Sequence, residues 1–142
     1  MGVEVEIKPR LNIEVFLPPQ GVRFSNLLPT DPPQIKEVTV KVSSNIGRPY
    51  MVMQRVGSAL VNPRGEEIER EHFVYKTEWI NDAEGRLGAS EFRPVGVGET
   101  PVFYSDKNGS SAEFKVVYRL GYYPGISAGD YEVPIVFTLG EM

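Results

Sequence analysis

The chain has 142 residues, of which 41% are hydrophobic and 24% charged, which is typical of one folded domain and argues against disorder. Its formal net charge is −4 with both signs interspersed, so no basic stripe is present to bind a nucleic acid. No apolar run is long enough to span a bilayer, and the absence of cysteine excludes disulfides and thiolate catalysis.

The N-terminal segments alternate between apolar and polar side chains. Val3, Val5 and Ile7 share one face, and residues 11–17 resume the alternation before two consecutive prolines end it. We expect one domain over residues 1–142, in which residues 1–10 form an N-terminal arm or a strand. The arm could pair within its own domain, which we favour, or add to a sheet of another chain.

Three further strands are predicted in the middle of the chain, over residues 37–42, 50–56 and 73–79. The second is apolar on both faces except at Gln54 and Arg55, which is typical of a strand inside a sheet. The third places aromatic residues on its buried face.

Turns and loops separate these strands. Asn-Pro-Arg-Gly at residues 62–65 predicts a tight turn, and residues 81–92, with little pattern, predict an exposed loop. Asp-Lys-Asn-Gly at residues 106–109 lies between two apolar runs, which predicts a β-hairpin.

The last strand shows the clearest alternation in the chain. Its five inward positions are Tyr131, Val133, Ile135, Phe137 and Leu139. Pro134 lies in the outward register and cannot donate a ladder hydrogen bond, so it predicts a strand at an edge or with a bulge.

The whole pattern, without any sustained helical period, predicts an all-β fold: an immunoglobulin-like antiparallel β-sandwich of about eight to nine strands. A closed or half-closed barrel would show the same pattern and is the alternative.

The polar residues do not predict an enzyme. His72 is the only histidine, and no sequence near it resembles a nucleophile turn. The carboxylates at residues 66, 67, 69 and 71 match no metal-binding spacing and are interpreted as a solvated face. We therefore expect no catalytic residue, no metal and no cofactor.

One loop could bind a ligand. Tyr122 and Tyr123 are adjacent aromatic residues beside a proline, where they could stack on a carbohydrate together with the loop over residues 81–92. Packing of both rings against the domain is the interpretation that we favour.

The segment over residues 128–139, with the sequence AGDYEVPIVFTL, resembles the final strand of the spore coat protein U and fimbrial-subunit-like domains of bacteria. Similar pieces occur earlier, in Val22-Arg23-Phe24, in the strand over residues 38–42, and in Ser44-Asn45, so the resemblance spans roughly Leu11 to Leu139. It implies an immunoglobulin-like sandwich, export through the inner membrane, and assembly by strand donation between subunits. The chain lacks the cysteine pair that many such subunits carry.

The resulting expectation is a non-enzymatic structural or interaction domain of an exported bacterial protein, in the periplasm, at the cell surface or secreted with its signal peptide removed. Other protein subunits, including copies of the same chain, would bind by strand pairing, with no membrane span. The expected interaction edge comprises Val3, Val5, Ile7, Tyr131, Val133, Pro134, Ile135 and Phe137. The alternative is a β-sandwich that binds carbohydrate or another ligand.

Overall fold

The computed structural model describes residues 10–17, 22–27, 32–81, 84–121, 123, 125 and 129–141. The predicted arm with Val3, Val5 and Ile7 lies outside these residues, and so does Tyr122. In the described part the chain is all-β, with no α-helix and a single 3-10 turn at Arg70–His72.

Eleven strands are present in this part of the chain. Their bounds are β1 Leu11–Phe16, β2 Arg23–Leu27, β3 Gln34–Ser44, β4 Tyr50–Val56, β5 Phe73–Trp79, β6 Arg86–Leu87, β7 Arg93–Pro94, β8 Gly98–Tyr104, β9 Ala112–Leu120, β10 Gly129–Glu132 and β11 Ile135–Glu141. The predicted strand over residues 73–79 is confirmed at both ends.

The strands form three antiparallel sheets, which confirms the β-sandwich. A five-stranded sheet has the order β1-β3-β9-β5-β7, a four-stranded sheet has the order β11-β4-β8-β6, and β10 pairs with β2. The two larger sheets meet in the core, where Phe103 of β8 stacks on Phe114 of β9 with ring centroids 5.0 Å apart. Alternation drives this packing, since one face of each strand supplies the buried side chains.

β4 lies inside the four-stranded sheet, between β11 and β8, as its two-faced apolar pattern predicted. Its one polar inward residue, Gln54, is 0% exposed. The Tyr118 hydroxyl donates to Gln54 Oε1 over 2.7 Å, and burial raises the pKa of Tyr118 well above its ordinary value. Gln54 Nε2 finds no hydrogen-bond partner within the described part of the chain.

We expect Tyr118→Phe to lower the free energy of unfolding by about 1–3 kcal/mol, because it leaves the buried Gln54 amide without its donor. The double variant Gln54→Leu/Tyr118→Phe should recover most of that loss, because both polar groups are then absent. Urea unfolding of the two single variants and the double variant measures the coupling. A double variant as unstable as the sum of the singles would contradict this account.

The predicted hairpin at residues 106–109 is wrong, although the turn itself forms. The Gly109 N–H donates to Asp106 O over 3.1 Å, and both the N–H and the hydroxyl of Ser110 donate to the Asp106 carboxylate over 2.8 Å. The flanking strands, β8 and β9, belong to opposite sheets. The turn therefore carries the chain from one sheet to the other. The local sequence of an Asn-Gly turn is the same in this arrangement as in a hairpin.

The loop predicted over residues 81–92 is also more structured than expected. It contains β6, and Ala89 is buried against β5. The Ala89 N–H donates to Thr77 Oγ1 over 3.1 Å, while the Thr77 hydroxyl and N–H both donate to Ala89 O. The sequence of this loop shows no periodic pattern, because its hydrogen bonds to β5 depend on a single buried threonine.

The last predicted strand is two strands. β10 pairs with β2, and β11 pairs with β4 in the other sheet. The change occurs at Val133 and Pro134, where the missing N–H permits the chain to leave one ladder before it joins the next. This split and the two-residue strands β6 and β7 account for the eleven strands against the eight to nine predicted.

Candidate functional site

The edges of the two large sheets differ in how they are protected from pairing with other chains. The edge strands β6 and β7 have two residues each. β1 carries the exposed Glu14 near its centre. β11 has no charged residue from Ile135 to Gly140. Short strands and edge charges discourage strand addition, and β11 has neither.

β11 pairs along its full length with β4, from Ile135 opposite Val56 to Glu141 opposite Tyr50. No other described strand pairs with its second side. Val136 is 56% exposed on the outer face, and the Glu141 carboxylate is held by Arg48 at 2.9 Å. The uncharged stretch is thus bounded by Pro134 at one end and by an ion pair at the other.

The outer face of the four-stranded sheet is mixed, because Arg55 of β4 lies between Val136 of β11 and Glu99 of β8, and an apolar part lies beside it. Met51 and Met53 of β4 are half-buried there, opposite Gly140 and Thr138 of β11. A Cβ added at Gly140 would lie 3.2 Å from Met53 Cε, so the two methionines cover the glycine. Flexible methionine side chains on an outer sheet face suit an adaptable contact surface.

The outer face of the five-stranded sheet is charged instead. Lys115 Nζ lies 3.3 Å from both Glu37 and Glu78, and Lys76 Nζ lies 2.8 Å from Glu78. The hydrogen bond from Lys76 lowers the pKa of Glu78, so this network stays ionised. Such a network of ion pairs favours contact with water.

The structure separates the residues predicted for the interaction edge. Tyr131 and Val133 are buried, with Tyr131 opposite Phe24 in the two-stranded sheet. Phe137 also points into the core, whereas Pro134 is exposed. Ile135 is half-buried at the start of β11.

The accessible part of this edge is its outward register, which sequence reasoning passed over. It comprises the exposed Val136, which lies opposite Arg55 of β4, and the half-buried Thr138, which lies opposite Met53 and has its hydroxyl oxygen buried. The signal was present, because the same alternation that assigns five residues inward assigns these outward.

A second cluster lies at the beginning of β5. The ligand atoms of Glu69, Glu71 and His72 lie within 4.8 Å of one another, and His72 Nε2 is 3.7 Å from each carboxylate. The imidazole stacks on the Tyr123 ring at 3.8 Å, and the Glu69 N–H donates to the Tyr123 hydroxyl oxygen over 2.8 Å. The carboxylates are exposed, and we assign no metal site to the cluster.

The loop over residues 81–92 is far from Tyr123 at one end and closer to it at the other. Tyr123 contacts His72 immediately before β5, and Asn81 follows β5, about 20 Å farther along the strand. Phe92, at the end of the loop, lies under the Arg119 guanidinium at 4.1 Å and near Lys76 at 4.8 Å. Because Arg119 also lines a pocket with His72, the carbohydrate site of Tyr122, Tyr123 and this loop stays a prediction.

Among the described residues there is no helix long and apolar enough to cross a membrane. Comparisons with protein-family models, curated proteins and solved structures give no match to this chain.

Proposed function

We propose that this protein is a non-enzymatic interaction domain that pairs with other protein chains, copies of itself included, through the edge of β11. The observation that carries the proposal is the uncharged edge from Ile135 to Gly140, whose second side pairs with no described strand.

Strand addition suits this edge for a physical reason. A sheet edge presents a row of backbone N–H and C=O groups, and an incoming strand satisfies them while its side chains add contacts on both faces. At β11 those contacts would be made with Val136 and Thr138 on the outer face, beside Met51 and Met53. The other long edge, β1, would bring Glu14 close to an incoming chain.

The wider role follows the resemblance to spore coat protein U and fimbrial-subunit-like domains. On that basis we propose an immunoglobulin-like sandwich in an exported bacterial protein, located in the periplasm or at the cell surface, that takes part in a pilus or other surface assembly. An export leader encoded immediately upstream of this chain in its gene would support the proposed compartment.

The test changes the edge without changing the core. In Val136→Lys an exposed side chain becomes charged and lies opposite Arg55 of β4, so the free energy of unfolding should fall by about 1 kcal/mol or less. We expect the parent chain to associate with rising concentration in sedimentation velocity, and the variant to require at least about tenfold higher concentration, because a lysine on an edge opposes strand pairing.

Two controls accompany this measurement. Phe16→Lys places the same charge at an exposed site on β1 and should leave association unchanged. A chain that lacks residues 1–8 distinguishes edge-to-edge pairing, which survives, from exchange of the N-terminal arm, which does not. Parent and Val136→Lys proteins that remain identical monomers across the concentration range would refute the proposal.

A further inference from the structure

The sandwich has a cavity at one end, between the end of β4 and the start of β5. Its volume is about 300 Å³. Five of its lining side chains are apolar and buried: Val56, Leu60, Ile68, Phe73 and Val95. An apolar cavity of about 150 Å³ already accommodates a benzene ring, so this one has room for a ring with a short chain.

The wall of the cavity is a fixed segment, residues 57–72. The Ile68 N–H donates to Leu60 O over 2.9 Å, and Val61 exchanges two backbone hydrogen bonds with Glu132 of β10. At the turn, Asn62 Oδ1 accepts from the N–H groups of Arg64 and Glu66. The cavity is therefore formed before any ligand arrives, which is the usual condition of a small-molecule site.

The mouth of the cavity is acidic. Glu67 and Glu69 flank the inward-pointing Ile68, and among the side chains that the structure describes they are the charged ones that line the cavity. Glu67 makes no ion pair with any described residue. The Glu69 carboxylate lies 3.7 Å from His72 Nε2 and within 4.8 Å of a Glu71 carboxylate oxygen, and the Glu69 N–H donates to the Tyr123 hydroxyl oxygen.

From this arrangement we infer that the cavity binds a small organic cation, with an apolar ring or short alkyl chain inside and an ammonium group at the mouth. Val56, Leu60 and Phe73 contact the apolar part, and Glu67 and Glu69 attract the cation. An anion of the same shape is repelled by the two carboxylates. The site is separate from the edge of β11, so this inference does not depend on the proposed function.

Three probes of similar size and different charge test the inference: phenethylammonium, phenethyl alcohol and hydrocinnamate. Each is titrated into the full chain labelled with nitrogen-15, and amide shifts are followed by NMR. We expect shifts around Leu60, Ile68 and Val95, with phenethylammonium binding about fivefold tighter than the alcohol and hydrocinnamate weakest. The preference should shrink as salt is added, because the carboxylates are exposed.

The double variant Glu67→Gln/Glu69→Gln separates charge from shape. It should bind the alcohol as the parent chain does and bind phenethylammonium no tighter than the alcohol. Glu14→Gln/Glu91→Gln removes two exposed charges that do not line the cavity and should preserve the parent order. Equal binding of all three probes by the parent chain, shifts outside the cavity, or no shifts with any probe would each overturn the inference.

Discussion

Phe114→Ala should lower the free energy of unfolding by about 3–5 kcal/mol, the largest loss that we expect from a single truncation in this chain. Phe114 is 0% exposed and stacks on Phe103 across the two layers. Removing the ring takes away this stack and leaves a cavity where the two sheets meet, which the surrounding strands can close only in part. Equilibrium unfolding in urea measures the change.

Phe16→Ala is the matched control, because it removes the same ring from a site that is 53% exposed on β1. The free energy of unfolding should change by about 0.5 kcal/mol or less, since little apolar surface returns to water. Equal losses at the two positions would mean that the stacked rings of the two sheets do not form the core of the sandwich.

Gly109→Ala should lower the free energy of unfolding by about 3–5 kcal/mol for a different reason. Gly109 has a φ of 64°, a left-handed conformation that side chains disfavour. A Cβ there would also overlap the backbone carbonyl oxygen of Arg48. The turn between β8 and β9 would have to move away from the loop that contains Arg48. Thermal or urea unfolding would measure the lost stability.

Gly47→Ala and Gly65→Ala separate the two contributions. Both glycines have a positive φ, of 73° and 80°, and a Cβ at either would meet nothing within 4 Å. Only the conformational cost of about 1–2 kcal/mol is then expected at each. A Gly109→Ala variant no less stable than these two would show that the contact with Arg48 is unimportant.

The two proposals place their partners at different sites. Strand pairing uses the backbone of β11 and the outer face around Val136, whereas the cation site uses the enclosed end of the sandwich near Ile68. The two proposals can therefore be tested separately, with Val136→Lys for one and Glu67→Gln/Glu69→Gln for the other. A result that contradicts one proposal leaves the other unaffected.

The alternation of side chains by itself determined the all-β class and the bounds of β4 and β5. It predicted β5 at both ends and placed β4 inside a sheet, whereas Pro134 lies between two strands rather than within an edge strand or a bulge. These properties are local, because a period of two along a strand decides which side chains are buried, whichever strand lies beside it.

Only the tertiary structure decided which strands are neighbours. The turn at residues 106–109 joins opposite sheets rather than a hairpin, and the chain changes sheets at Pro134. The same is true of the edge of β11, with which no second described strand pairs, and of the acidic mouth at Glu67 and Glu69. These features depend on contacts between residues far apart in the sequence, and side-chain periodicity carries no information about those contacts.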